Sequence, residues 1–157
     1  MSAHLDGLLK SAAGSVFTTM LESPVAFDRA DPAFFNGDAL VIATIGFQGA
    51  YTGTIYLYSD AGFAQRVTNH MLCLSSNDNL GEGMVNDAVG ELANMIAGLI
   101  KSSLAVGQHA CLVTIPSVVR GCQQRAPPLQ GTERGSVSFR CNGEGVFVEA
   151  FIKPAEE

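Results

Sequence analysis

Positive charge is scarce in this chain of 157 residues: nine Lys and Arg stand against fifteen Asp and Glu, a formal net charge of −6. The basic residues are scattered rather than gathered into a stripe. Nucleic acid, whose binding rests on neutralising phosphates, is therefore not an expected partner. The opening segment, MSAHLDGLLKSAAGSVFTTML, lacks a basic leader followed by an unbroken apolar stretch. No apolar run approaches the roughly 18–20 residues that span a bilayer. A cytoplasmic chain with no membrane segment is the expectation. Cys73, Cys111, Cys122 and Cys141 lie far apart, with no C-x-x-C pair and no histidine at zinc spacing. That predicts free thiols in a reducing compartment and no metal-ligand set. His4, His70 and His109 also stand alone. No local Ser/His/Asp or Cys/His signature supports nucleophilic hydrolysis, although a triad built from distant residues leaves no local trace.

What is present is apolar: 47% of the residues are hydrophobic, enough for one ordinary domain over residues 1–157 with a real core. Leu5, Leu8, Leu9, Ala12, Val16, Phe17 and Met20 recur at steps of three and four, which predicts a one-sided helix over 3–21, ended by Ser23-Pro24. The runs ALVIATIGF and TGTIYLY, parted by Gln48-Gly49-Ala50, are β-branched and aromatic and read as a hairpin. Ser59 or Asp60 can cap a second helix, in which Phe63, Ala64, Val67, Met71 and Leu72 keep helical spacing. A long helix follows over about 80–106, then strand-like CLVTIP, a Gln-, Pro- and Gly-rich loop around 121–135, and a hairpin of SVSFRC and GVFVEAFI turning at Asn142-Gly143. Helices separated by hairpin-linked strands predict an α+β fold, a mostly antiparallel sheet with long amphipathic helices packed on it.

At 100° per residue, Val85, Ala88, Val89, Leu92, Met95, Ile96, Leu99, Ile100 and Ser103 fall mainly on one broad side of the long helix. That side is its expected core face. Roughly opposite, Asp87, Glu91 and Asn94 stand at i, i+4 and i+7, within an arc of about 60°. Gly83, Gly90, Ala97 and Gly98 lie beside them. A glycine inside a helix costs about 1 kcal/mol relative to alanine, so Gly90 and Gly98 are not what helix stability selects. Two readings fit. The polar residues are a solvated face and the glycines admit a neighbouring helix, or this face admits another body closely.

The string NDAVGELANMIAGLIKSSL followed by LVTIPSV resembles the signature of the CheC/CheX/FliY chemotaxis phosphatases: Asp or Ser, three residues, Glu, two residues, Asn, twenty-one residues and Pro. Asp87, Glu91, Asn94 and Pro116 keep the full spacing. The resemblance extends to the order of elements along most of the chain, and it is strongest to the CheX branch. CheC-type members usually carry the motif twice. Here Asp6, Lys10 and Ala13 hold the corresponding spacing in the first helix, without the Glu or the Asn. One active helix per chain is what a CheX-like protein would show.

The resemblance implies a phosphatase acting on the aspartyl phosphate of a phosphorylated CheY-like response regulator. No cofactor of its own is implied, since the partner would supply the phosphorylated Asp, a magnesium ion and a Lys. Asn94 would orient the attacking water, an amide being both donor and acceptor but no useful base. Glu91 would pair with the partner's Lys, with a general-base role as the alternative. Asp87 and Pro116 would support the pair, and Gly90, Ala97 and Gly98 would form the low surface that meets the partner. CheX-like proteins are homodimers, which the resemblance extends to this chain. The competing reading is a non-catalytic module that binds a regulator, or sits in a flagellar switch, through the same face.

Overall fold

The computed structural model describes residues 2–22, 25–28, 40–75, 80–104, 111–121, 127–141 and 144–156. In chain order the elements are α1 (Ser2–Leu21), β1 (Ala26–Asp28), β2 (Leu40–Gly49), β3 (Tyr51–Asp60), α2 (Ala61–Met71), α3 (Glu82–Leu104), β4 (Cys111–Val113), β5 (Ser117–Arg120), β6 (Glu133–Cys141) and β7 (Glu144–Pro154). The strands form one seven-stranded sheet in the order β1-β6-β7-β3-β2-β4, with β5 also paired to β2. Every pairing is antiparallel. This is the α+β architecture expected from the sequence.

Strand alternation sorts the sheet into two faces. Val41, Ala43, Ile45 and Phe47 of β2, Ile55 and Leu57 of β3, and Val146, Val148, Ala150 and Ile152 of β7 all join the main core with the helices. From above, α1 contributes Leu5, Leu9, Ala12, Ala13, Val16 and Phe17 to that core, and α3 contributes Val85, Val89, Leu92, Ala93, Ile96, Ala97 and Ile100. Full burial of each large aliphatic side chain is worth about 1.5–3 kcal/mol, so this layer supplies most of what holds the helices down. Phe17 meets Phe139 of β6 edge to face at 5.0 Å, pinning α1 to the sheet. Asp6 accepts the Ser136 N–H at 2.7 Å and adds a polar tie between the same two elements.

Asp60, rather than Ser59, caps α2, its Oδ1 accepting the Phe63 N–H at 2.6 Å. Arg66 then reaches the start of β7, where its Nη2 meets Glu144 Oε1 at 2.5 Å. Burial, and then the Asp60 carboxylate, hold the Glu144 carboxyl above its ordinary range in spite of that cation.

Three features depart from the sequence expectation. CLVTIP is not one strand: it breaks after Val113, and the edge resumes as β5 at Ser117. β1 and β5, of three and four residues, are too short to show a period. β6 begins at Glu133, inside the segment expected to be loop. The expected stop at Ser23-Pro24 and the Asn142-Gly143 turn lie outside the described residues.

Candidate functional site

Asp87, Glu91 and Asn94 are all exposed on α3, along the stripe that helical geometry assigns them. The opposite arc of the helix is buried on the core. Glu91 and Asn94 sit about 4.5 Å apart along the axis and about 60° apart around it, so their side chains reach the same patch of surface. Among the described residues, neither side chain is engaged in a hydrogen bond or ion pair. Both are available to another molecule.

The small residues beside them behave differently from the expected low surface. Ala97 is fully buried and Gly90 is buried as well; Gly83 is exposed, and Gly98 lines a groove with Met95 and Leu99 of α3 and Ser15, Val16 and Thr19 of α1. The buried arc of α3 is wider than the apolar stripe suggests and is turned toward Gly90, Ala93 and Ala97, while Leu99 and Ser103, expected in the core, are exposed. The cause is a second neighbour that the local pattern does not announce. A Cβ on Gly90 would stand 3.4 Å from Pro116 Cγ and 3.6 Å from Val118 Cγ2. Gly90 is therefore a packing position for the sheet edge, and its place in the partner surface is corrected.

That edge explains Pro116. Ser117 pairs with Thr44 and Val113 pairs with Phe47, so four steps on the edge chain face three on β2. One extra residue is a β-bulge, which bends the strand and re-aims the residues beyond it. Pro116 cannot donate to the ladder and is suited to such a break. It turns onto Gly90, the residue before Glu91. One turn earlier on α3, Asn86 Oδ1 accepts Arg120 Nε at 3.0 Å. The edge thus holds the helix at two points just behind the exposed residues.

Sequence reasoning missed the apolar surroundings. Ile115, next to Pro116, is 90% exposed, and Met84, one turn before Asp87 and Ala88, is 48% exposed. Large exposed apolar groups on the same helix and on the strand edge packed against it suit a protein partner better than a small solute. The only signal for Ile115 was its position before a proline, and a continuous strand reading hides it. In the first helix Asp6 is spent on Ser136, so α1 carries no second copy of the site. Among the described residues no group of three or more His, Cys, Asp or Glu is placed to hold a metal, and no helix is long and apolar enough to cross a membrane.

The two glycines now have opposite expected outcomes. Gly90→Leu should lower stability by about 1–3 kcal/mol by overpacking against Pro116 and Val118. Gly98→Leu, with nothing within 4 Å of its Cβ position, should raise the melting temperature by a few degrees, since it removes a glycine from the helix interior without a clash. Thermal unfolding of the two variants side by side checks this.

Solved structures with the same fold include the chemotaxis protein CheX of Vibrio vulnificus, at a TM-score of 0.77 and 23% identity over 98% of this chain and 99% of that one. The CheX–CheY–BeF3–Mg2+ complex of Borrelia burgdorferi matches with a TM-score of 0.75 and 21% identity over 95% and 97%. FliY of Thermotoga maritima matches at 0.64 and 14% over 95% and 88%. No curated protein sequence shows significant similarity to the chain. The family described as chemotaxis phosphatase CheX matches residues 41–142, more than half of the sequence, in a span holding Asp87, Glu91, Asn94 and Pro116. With both halves of the motif meeting at Gly90 and the family match spanning them, the chain belongs to the CheX family of chemotaxis phosphatases.

Proposed function

We propose that this phosphatase hydrolyses the aspartyl phosphate of a CheY-like response regulator by presenting Glu91 and Asn94 to the regulator's active site. The observation that carries the reading is that both side chains stand exposed and unengaged, one turn apart, on a helix braced from behind by Pro116. The Borrelia structure holds a CheX together with CheY, BeF3 and Mg2+, which supports a CheY-like partner that brings its own magnesium.

The chemistry asks little of this chain. An acyl phosphate is already reactive, and its hydrolysis needs a water held in line with phosphorus. A bond forms from the water oxygen to phosphorus, and the bond from phosphorus to the aspartyl oxygen breaks. The carboxylate leaves and the water's protons pass to phosphate and solvent. Asn94 holds that water through its amide, and Glu91 pairs with a Lys of the regulator, fixing the amide over the phosphate. Asp87 supports the docked carboxylate from one turn below, and Gly98 keeps the neighbouring surface low. The reading places the protein in the cytoplasm with its substrate. It also includes a homodimer, which light scattering on the purified chain checks.

The test is direct. A phosphorylated CheY-like receiver with Mg2+ is followed for phosphate release, alone, with the chain, and with its Asn94→Ala variant. Faster release only with the wild-type chain is expected. Equal decay in all three overturns the proposal, and tight binding without acceleration would make the protein a docking module instead.

A further inference from the structure

We infer that Thr114 is a positioning residue for the Glu91/Asn94 face, clamping Gly46 so that the β4–β5 bulge seats Pro116 on Gly90. The inference rests on Glu91 and Asn94 as the working pair. In an ordinary antiparallel ladder, each hydrogen-bonded pair of facing residues exchanges both bonds through the backbone. At this point the exchange is half side chain. The Thr114 N–H donates to the Gly46 carbonyl at 2.9 Å, but the Gly46 N–H returns its bond to Thr114 Oγ1, also at 2.9 Å. The hydroxyl stands in for the Thr114 carbonyl, which frees the chain to leave the ladder there. Ile115 swings into solvent, and Pro116 lands on Gly90.

Gly46 is the matching half of the clamp: a Cβ there would stand 3.1 Å from the Thr114 methyl. The path from clamp to site is short. Thr114 fixes the bulge, the bulge fixes Pro116 and Val118 against Gly90, and Glu91 follows Gly90 in the helix. The side chains of a helix reach about 5–6 Å from its axis, so a rotation of roughly 10° moves the Asn94 amide by about 1 Å. A misplacement of that size can cost about 100-fold in rate.

Thr114→Val keeps the branched shape and removes the hydroxyl; Thr114→Ser keeps the hydroxyl. On a phosphorylated receiver, Thr114→Val is expected to lower kcat about tenfold or more with KM moved less than about threefold, and Thr114→Ser to stay within about twofold of wild type. Melting temperatures are measured alongside. Should Thr114→Val fail to fold, Gly46→Ala presses on the same methyl without removing a hydrogen bond and is expected to show the same selective fall in kcat. Wild-type kcat in the folded variant, or an equal loss in Thr114→Ser, overturns the assignment. A wild-type chain that does not accelerate phosphate release overturns the reading of Glu91 and Asn94 themselves, a different result from an active wild type with an equally active Thr114→Val.

Discussion

Replacing Asn94 by alanine should lower kcat for receiver dephosphorylation about 100-fold or more while KM moves by less than about threefold. The amide is exposed and its donor and acceptor are free, so its removal costs the fold little. On the proposed mechanism, what is lost is the orientation of one water against phosphorus. Asn94→Asp sharpens the test. The carboxylate has the size of the amide but no N–H donor, and it places negative charge beside a phosphoryl group; it should be at least as impaired as alanine.

Glu91→Ala should fail differently. A carboxylate that docks to a buried Lys contributes binding, and truncating one member of such a pair typically costs about 2–5 kcal/mol, which for Glu91 means a KM raised about 30-fold or more. A general base would instead show as a loss in kcat with KM little changed. Steady-state kinetics of Glu91→Ala and Asn94→Ala on one receiver separate the two roles. A fall in kcat alone for Glu91→Ala would assign it the proton.

How much of the site is legible in the sequence depends on where its parts lie. Asp87, Glu91 and Asn94 were legible because a helix of strong apolar period fixes which residues share a face, and the structure exposes all three. Pro116 entered only through the family spacing, since nothing local ties a proline after CLVTI to Asn94 twenty-two residues back. The burial of Gly90 and Ala97 was hidden for the same reason. Their neighbour is a sheet edge supplied by later sequence, and a helical wheel counts polarity on one element without knowing how many others pack around it. The bulge was illegible in a different sense: a β-branched run looks the same whether or not it skips a residue, and only the bonds between Thr114 and Gly46 mark the break. The hairpins β2/β3 and β6/β7, by contrast, are local pairs, and their alternation fixed the faces.

Glu149 is the largest surprise of that alternation and carries the second large prediction: Arg134→Ala should destabilise the protein by about 2–4 kcal/mol at neutral pH. Glu149 lies on the sheet face away from the helices, within the cluster of Leu40, Ile42, Tyr56, Tyr58, Phe147 and Phe151, and is 0% exposed. Its carboxylate accepts Tyr58 Oη at 2.8 Å on one oxygen and Arg134 Nε at 3.1 Å on the other. Both donors sit diagonally across the strands, since Arg134 faces Phe151 and Tyr58 faces Phe147 in the register. Arg134 is 48% exposed at its side chain, so its own truncation forfeits little packing, and the cost arises from removing the cation that faces a buried carboxylate. That origin has a signature. A neutral amide is far cheaper to bury than a charged carboxylate, so the deficit of Arg134→Ala should shrink in a Glu149→Gln background, while Tyr58→Phe, which removes one neutral donor, should cost only about 1–2 kcal/mol. Denaturant unfolding of the variants measures both, and a deficit for Arg134→Ala that is the same in the Glu149→Gln background would place the loss in packing instead of charge.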